Sequence, residues 1–137
     1  MYKRPGALAT YNQITNMETD PIQQIVLLYN GAIKFLRLAA ADIEANDMTA
    51  KAAHSSRALE VICYLQSILN FEQGLDVAQT LDSLYTSITA MVLKASLALD
   101  AQAMRRAADL LAPVSDAWAI NASSGLTKDN ALSSTGV

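Results

Sequence analysis

Apolar residues recur at intervals of three and four along most of this chain, which is the repeat of an α-helix that buries one face. The repeat occurs in four long segments separated by short polar connections. Connections this short force successive helices to run antiparallel. We therefore predict an all-α fold, an antiparallel up-down four-helix bundle. The predicted core stripes are Ile22, Ile25, Tyr29, Ala32, Leu36, Ala39 and Ile43; Ser55, Ala58, Ile62, Leu65 and Leu69; Val77, Leu81, Leu84, Ile88, Met91, Ala95 and Ala98; and Met104, Ala107, Leu111, Val114 and Trp118.

Capping residues and helix breakers set the expected helix ends. A side chain that accepts from the free N–H groups of the first turn favours a start, and proline is tolerated at the first helical position. Gly74 is placed to end the second helix in a left-handed conformation. Pro113 removes one backbone bond inside the fourth helix, so we expect a kink or local break there. The predicted starts are Asp20 with Pro21, Thr49, Asp76 and Asp100.

The two ends of the chain differ from the bundle. At 137 residues the chain suits one domain with a single core, which we assign to residues 19–121. Residues 1–18 mix apolar and polar side chains and are too short to fold alone, so we expect them to lie on the bundle as a strap. Residues 122–137 are small and polar without periodicity. We expect a flexible, disordered C-terminal tail there.

The first helix carries more apolar surface than one core stripe requires. By the angular repeat of 3.6 residues, some of its apolar side chains lie to one side of the core stripe and others roughly opposite to it. The second and third helices also carry large apolar residues off their stripes. Apolar residues on an outward face need a second cover, from this chain, another copy or a partner. The residues concerned are Leu27, Leu28, Gly31, Phe35 and Leu38, then Tyr64 and Phe71, then Leu93 and Leu97.

Charge and composition exclude several classes of function. The net charge is -3 and the cations are scattered, so the chain lacks the basic stripe of a nucleic-acid-binding protein. Cys63 is the only cysteine, which fits a reducing compartment. We find no signal peptide and no apolar run of the roughly 20 residues that span a bilayer. These features predict a cytoplasmic protein without membrane insertion.

The residues give little support to an enzyme. A di-iron bundle needs Glu-x-x-His pairs, whereas the only histidine, His54, has Lys51 three positions earlier. On one helix His54 and Cys63 would be about 13 Å apart along the axis, too far for nucleophile and base. We therefore predict no catalytic residue, no cofactor and no metal site. Two alternatives stay open: a phosphorelay histidine phosphotransfer domain using His54, or a helical bundle that self-associates through its outward leucines.

Several blocks of sequence resemble one known family, the flagellar secretion chaperones that bind flagellin. A tyrosine in the leading segment precedes a capped helix start and a Leu-Tyr-Asp-Gly-Ala-Ile type helix, and a second set of blocks follows in the same order as in the family. Together they cover residues 10 to about 120. The matching blocks are residues 10–11 (TY), 19–21 (TDP), 27–36 (LLYNGAIKFL), 69–74 (LNFEQG), 81–85 (LDSLY) and 117–118 (AW).

The resemblance implies a cytoplasmic export chaperone whose partner is the disordered C-terminal segment of flagellin. Such a chaperone prevents premature polymerisation and supports secretion by the flagellar type III export apparatus. Tyr11 matches the family's leading tyrosine, so we expect it to cover the Leu27, Leu28 and Phe35 region when flagellin is absent. With the outward apolar residues above, Tyr11 completes the predicted partner-binding set. We expect a monomer or a weak homodimer, although the sequence does not fix the resting oligomeric state, and an export-gate component or an anti-sigma factor stays open as a further partner.

Overall fold

Four antiparallel helices make up the described part of the protein. The structure is a computed structural model that describes residues 21–69 and 75–135, with side chains for residues 21–69 and 76–120. Each helix packs against the next, and the first also packs against the last, so α1 and α3 lie diagonally opposite. The predicted all-α four-helix bundle is confirmed. The helices are α1 (Pro21–Glu44), α2 (Met48–Ser67), α3 (Leu75–Ala98) and α4 (Ala101–Thr135).

The turn between α1 and α2 combines a helix stop with a helix start. Asn46 adopts a left-handed φ of 58°, and the next N–H, that of Asp47, donates back into the last turn of α1. This is the bonding pattern that closes many helix C-termini. Asp47 then caps α2, because its Oδ1 accepts from the N–H of Ala50 at 3.1 Å. The cap places the start of α2 at Met48, just before the predicted start.

The turn between α3 and α4 repeats this arrangement with a less usual residue. Leu99 has a φ of 54°, and the N–H of Asp100 donates to the carbonyl of Ala95 at 2.9 Å. Asp100 Oδ1 accepts from the N–H of Ala103 at 3.0 Å. The predicted cap of the fourth helix is therefore confirmed.

Other helix ends differ from the sequence prediction. The second helix ends at Ser67, before the predicted 71–74 stop. The third begins at Leu75, so Asp76 lies in its first turn, where an acidic side chain favours the positive end of the helix without being the cap. Asp20 and Gly74 lie outside the described residues.

The last helix is longer than the sequence suggested. It continues through Pro113 without the expected local break and runs to Thr135, past residue 121 where we placed the end of the bundle. Pro113 is exposed, and the helix continues through it despite the backbone bond that proline removes. No second proline follows to stop the helix. Residues 122–135 are within the bounds of this helix.

The core is built around two buried tyrosines. Tyr29 of α1 and Tyr85 of α3 share a hydrogen bond between their hydroxyl groups across the diagonal of the bundle, and Trp118 of α4 also hydrogen-bonds to the Tyr29 side chain. Burial raises the pKa of both tyrosines, because a low-dielectric interior disfavours the phenolate. A buried hydroxyl must find a partner, so this network fixes the rotation of α1 and α3.

That rotation corrects part of the predicted core. Val77 and Ala98 of α3, both placed in the stripe, are exposed, whereas Tyr85 and Val92 are buried. The core stripe of α1 is buried from Tyr29 to Ile43. None of the helices in the described part of the chain is long and apolar enough to cross a membrane.

Candidate functional site: an apolar strip along α1

A strip of half-exposed residues runs along the edge of α1. Leu27, Gly31, Phe35 and Leu38 follow one another at spacings of four, four and three, so they lie in a single row on the helix surface. All four are intermediate in burial. We call this row the α1 strip. It leaves apolar surface next to an otherwise filled core, which is typical of a site that binds another chain.

Phe35 fixes the side of α1 on which the strip lies. Its ring stacks on the imidazole of His54 in α2, with centroids 6.1 Å apart and an interplanar angle of 20°. The Arg57 guanidinium lies 5.8 Å from the Phe35 centroid. Both partners belong to α2, so the α1 strip borders the junction between α1 and α2.

His54 is itself held in place. Its Nδ1–H donates to Asp42 Oδ2 at 2.6 Å, and both side chains are largely buried. The ring therefore has a fixed partner on one edge and Phe35 on one face. These are the contacts of a structural histidine, and they orient Phe35. From the sequence, His54 is better explained as a structural residue than as the phosphoryl acceptor of the alternative above, and these contacts agree with that; its particular contact with Phe35 is not marked by any sequence spacing.

Leu28 does not belong to the outward surface where the sequence placed it. It is only 5% exposed and is part of the core cluster. The reason is its angular position. Leu28 follows Leu27 directly, so its side chain points about 100° further round the helix, toward the core. Leu28 supports the α1 strip from below, and a polar residue there would disturb the fold.

Gly31 leaves a gap in the middle of the strip. A Cβ built at this position meets no described atom within 4 Å, and the backbone is ordinary helix. Glycine inside a helix is less stable than alanine by roughly 0.5–1 kcal/mol. Packing among the described residues therefore does not require a glycine here. A glycine does let another chain approach the helix backbone closely.

Tyr64 lies further along the same junction. Arg57 of α2 lies beside Phe35 of α1. Because the two helices are antiparallel, two turns forward along α2, at Tyr64, correspond to two turns back along α1, at Leu28. Tyr64 packs against the core and is partly exposed. It also lines a shallow recess of about 590 Å³ formed mostly by α2, together with Leu59 and with Thr89 of α3.

The opposite edge of α1 is closed by polar contacts to α4. Arg105 makes a two-pronged bond to Glu44, at 2.8 and 2.5 Å, and Arg105 lowers the pKa of this carboxyl group. Ser115 Oγ donates to Asn30 Oδ1 at 2.8 Å. The apolar surface of α1 is therefore open on the α2 side and bordered by polar groups on the α4 side.

The remaining predicted residues do not join this strip. Leu93 and Leu97 lie on the outer face of α3, 51% and 87% exposed, so their outward orientation is as the periodicity indicated. They belong to a different surface, because α3 is diagonal to α1. Tyr11 and Phe71 lie outside the described residues.

Comparisons with known proteins identify the family of this chain. The family model described as Flagellar protein FliS matches residues 4–124. The flagellar secretion chaperone FliS of Salmonella typhimurium is 34% identical over 123 residues, covering 86% of this chain and 90% of that protein. Those of Vibrio cholerae and Bacillus subtilis are 26% and 27% identical, covering 82% and 79% of this chain and 86% and 80% of their own lengths. The chain therefore belongs to the FliS family of flagellar secretion chaperones.

Proposed function

We propose that this flagellar export chaperone binds the disordered C-terminal region of flagellin over the α1 strip, in the cytoplasm. Binding there would prevent premature polymerisation and support secretion by the flagellar type III export apparatus. The observation that carries the proposal is the row formed by Leu27, Gly31, Phe35 and Leu38, which stays half-exposed beside a filled core. The family membership supplies the flagellar context.

The shape of the α1 strip suits a client that folds on binding. A disordered segment loses conformational entropy when it binds, so it must cover a large area, on the order of 1,000–3,000 Å². A row that follows a helix for several turns offers more area than a single pocket. Apolar anchors in such a row accept the face of an amphipathic helix at spacings of three and four.

We assign different roles to the predicted partner-binding residues. Leu27, Phe35, Leu38 and Tyr64 would contact the client, Gly31 would let it approach the α1 backbone, and buried Leu28 would support them. Phe71 would extend the contact. Leu93 and Leu97, predicted as part of the same set, lie on α3, which is diagonal to α1, so we place them on a separate surface outside the client path. Tyr11 would cover the α1 strip when the client is absent. Deleting residues 1–18 should then increase solvent exchange at α1, and equal protection with and without them would count against this role.

The test of the client site is binding of a flagellin C-terminal peptide to the full chain. Calorimetry and solution mass should give a 1:1 complex. Leu27→Asp and Leu38→Asp should each weaken binding by at least about tenfold, because a charge would have to be buried in an apolar contact. Leu110→Asp is the matched control, since Leu110 is an exposed leucine on α4. If the peptide fails to bind the parent chain, the proposal is wrong.

A second variant tests the shape of the strip. Gly31→Leu places a side chain in the path of the client and should weaken binding; its Cβ meets no described atom within 4 Å, and thermal unfolding checks that the variant keeps its fold. Unchanged affinity would remove Gly31 from the site. A mass that doubles without peptide would favour a self-associating bundle over a resting monomer.

A further inference from the structure

The outer face of α3 carries a second apolar surface near the end of that helix. Ala90, Leu93, Leu97 and Ala98 follow the spacing of a helical stripe, with Lys94 among them, and all five are exposed. We call these residues the α3 patch. The opposite face of the same two turns supplies the core, so α3 is apolar on two sides here. One of these sides has no cover among the described residues.

A recess of about 400 Å³ continues the α3 patch toward α4. Its apolar lining is dominated by small residues, including Ala95, Ala98 and Ala103. Helices approach one another to 8–10 Å depending on the side chains at the contact, and alanines permit the closer distances. A helix lying along the α3 patch would therefore find a shallow trough beside it.

Two cations border this trough. Lys94 and Arg106 are exposed and line the recess, and within the described residues neither has an ion-pair partner. The carboxylate in the recess, Asp100, accepts from the N–H of Ala103 as the cap of α4. A chain of net charge -3 thus presents two positive charges beside an apolar stripe, which complements a ligand with acidic side chains.

The turn beside the α3 patch has an independent sign of function. Leu99 holds a left-handed φ of 54° while 47% exposed. The left-handed conformation costs a residue with a Cβ about 1–2 kcal/mol, and glycine is the usual occupant of this helix-ending position. A strained leucine that faces solvent contributes little to the fold. Strain of this kind is found at functional surfaces, and Leu99 extends the apolar surface to the turn.

We propose that the α3 patch and its trough bind an acidic amphipathic helix of a second protein. Its aliphatic side chains would cover Leu93 and Leu97, and its carboxylates would pair with Lys94 and Arg106. Because α3 is diagonal to α1, this partner and a client on the α1 strip would bind at the same time. The α3 patch is then a place where the chaperone is recognised while it is loaded.

The first experiment uses a synthetic helical peptide of about 18 residues, or five turns, with leucines at spacings of three and four flanked by glutamates. A matched peptide carries lysines in place of the glutamates. Titration of the full chain, followed by methyl NMR, should shift Leu93 and Leu97. The glutamate peptide should bind at least about tenfold more tightly than the lysine peptide. Equal affinities, or shifts confined to the α1 strip, would overturn the proposal.

Charge reversal sharpens this test. Lys94→Glu combined with Arg106→Glu should reverse the preference between the two peptides, because the exposed side chains contribute charge and little packing. Lys34→Glu, an exposed lysine on α1, is the matched control and should leave the preference unchanged. Thermal unfolding of each variant checks that the fold is retained. A preference that survives the double reversal would show that the cations do not select the partner.

A competition arm separates this proposal from the client site. A flagellin C-terminal peptide should leave the affinity for the glutamate peptide unchanged, and a ternary complex should be seen by mass. Displacement would show that one surface serves both ligands and would overturn the proposal of a separate partner. Dimers that disappear with Leu97→Asp would instead assign the α3 patch to a second copy of this chain. Binding of the glutamate peptide is measured without flagellin, so it can succeed even if the client proposal fails.

Discussion

The helices α1 and α3 have similar apolar content but very different exposure. α1 packs closely against both α2 and α4, whereas α3 packs less extensively against the same two helices. Leu28 of α1 is consequently buried, while Leu97 of α3 is 87% exposed. Most apolar residues of α1 outside its core stripe are covered by α2 and α4. On α3 such residues remain at the surface.

This difference shows that extra apolar residues on a helix can be explained first by neighbouring helices of the same bundle. Only those that remain exposed indicate a binding partner. A helix with two close neighbours needs an apolar arc wider than one stripe. The functional signal lies in what stays uncovered after those neighbours are in place. On α1 that is a narrow row open toward α2, and on α3 it is the outer face of the final turns.

The largest effect we expect is a difference in stability between a charge placed in the core of α1 and a charge placed one residue away, in the α1 strip. Leu28→Asp should lower the free energy of unfolding by more than about 3 kcal/mol, because it buries a carboxylate with no described partner. Leu27→Asp, one position earlier and half-exposed, should lower it by less than about 1 kcal/mol. Urea unfolding followed by circular dichroism measures both.

Similar losses for the two variants would contradict the boundary between core and α1 strip. Flagellin-peptide binding then separates them in a second way. Leu27→Asp should lose the client while keeping its fold, whereas Leu28→Asp should lose both together.

The next effect concerns the hydroxyl bond that links α1 to α3. Tyr29→Phe should cost about 1–3 kcal/mol, because it leaves the Tyr85 hydroxyl without its partner and removes the group bonded to Trp118. Tyr85→Phe should cost less, since Trp118 still bonds to Tyr29. The double variant should cost less than the sum, and a double-mutant cycle in urea measures the coupling. Full additivity would mean that the two hydroxyls do not interact.

The same pair predicts the alkaline limit of stability. Burial raises the pKa of Tyr29 and Tyr85 above the ordinary value of 10.0, so in the unfolded chain these phenols lose their protons first. Stability from the pair is complete below pH 10 and falls as the pH rises above it. The double Phe variant should lose less stability between pH 9 and pH 11 than the parent, as measured by urea midpoints. An equal loss would assign the alkaline limit to other groups.

The sequence predicted the fold class and the Asp100 cap because these depend on local spacing. It predicted only part of the buried face of α3. Two overlapping rows of α3 are apolar, and they share Ile88 and Ala95 while differing at Val77 and Tyr85. Periodicity alone cannot choose between them, and the choice is made by the distant hydroxyl of Tyr29.

The candidate site shows the same limit. Leu97 was correctly placed outward, since no described residue covers it, whereas Leu28 was wrongly placed, since it is part of the core cluster. The contact between Phe35 and His54 joins two helices and follows from their packing angle. No spacing within either helix contains that information.

A smaller and opposite effect is expected at Gly31. Gly31→Ala should raise the free energy of unfolding by about 0.5–1 kcal/mol, because alanine is the better helix former and the described atoms leave room for its Cβ. Thermal and urea unfolding of the full chain measure this change. Ala32→Gly, at the buried neighbouring position, is the contrasting control and should destabilise. A loss of stability in Gly31→Ala would show that a part of the chain outside the described residues packs on Gly31.

The smallest effect should come from the most exposed leucine. Leu97→Glu should change the free energy of unfolding by no more than about 0.5 kcal/mol, since its side chain packs on little and surface substitutions away from special features fall in this range. The same change should reduce binding of an apolar dye and of the glutamate peptide, because it removes apolar surface and adds a like charge. Leu110→Glu on α4 controls for the loss of an exposed leucine. If Leu97→Glu instead destabilises as strongly as Leu28→Asp, then α3 is covered as α1 is, and the contrast between the two helices disappears.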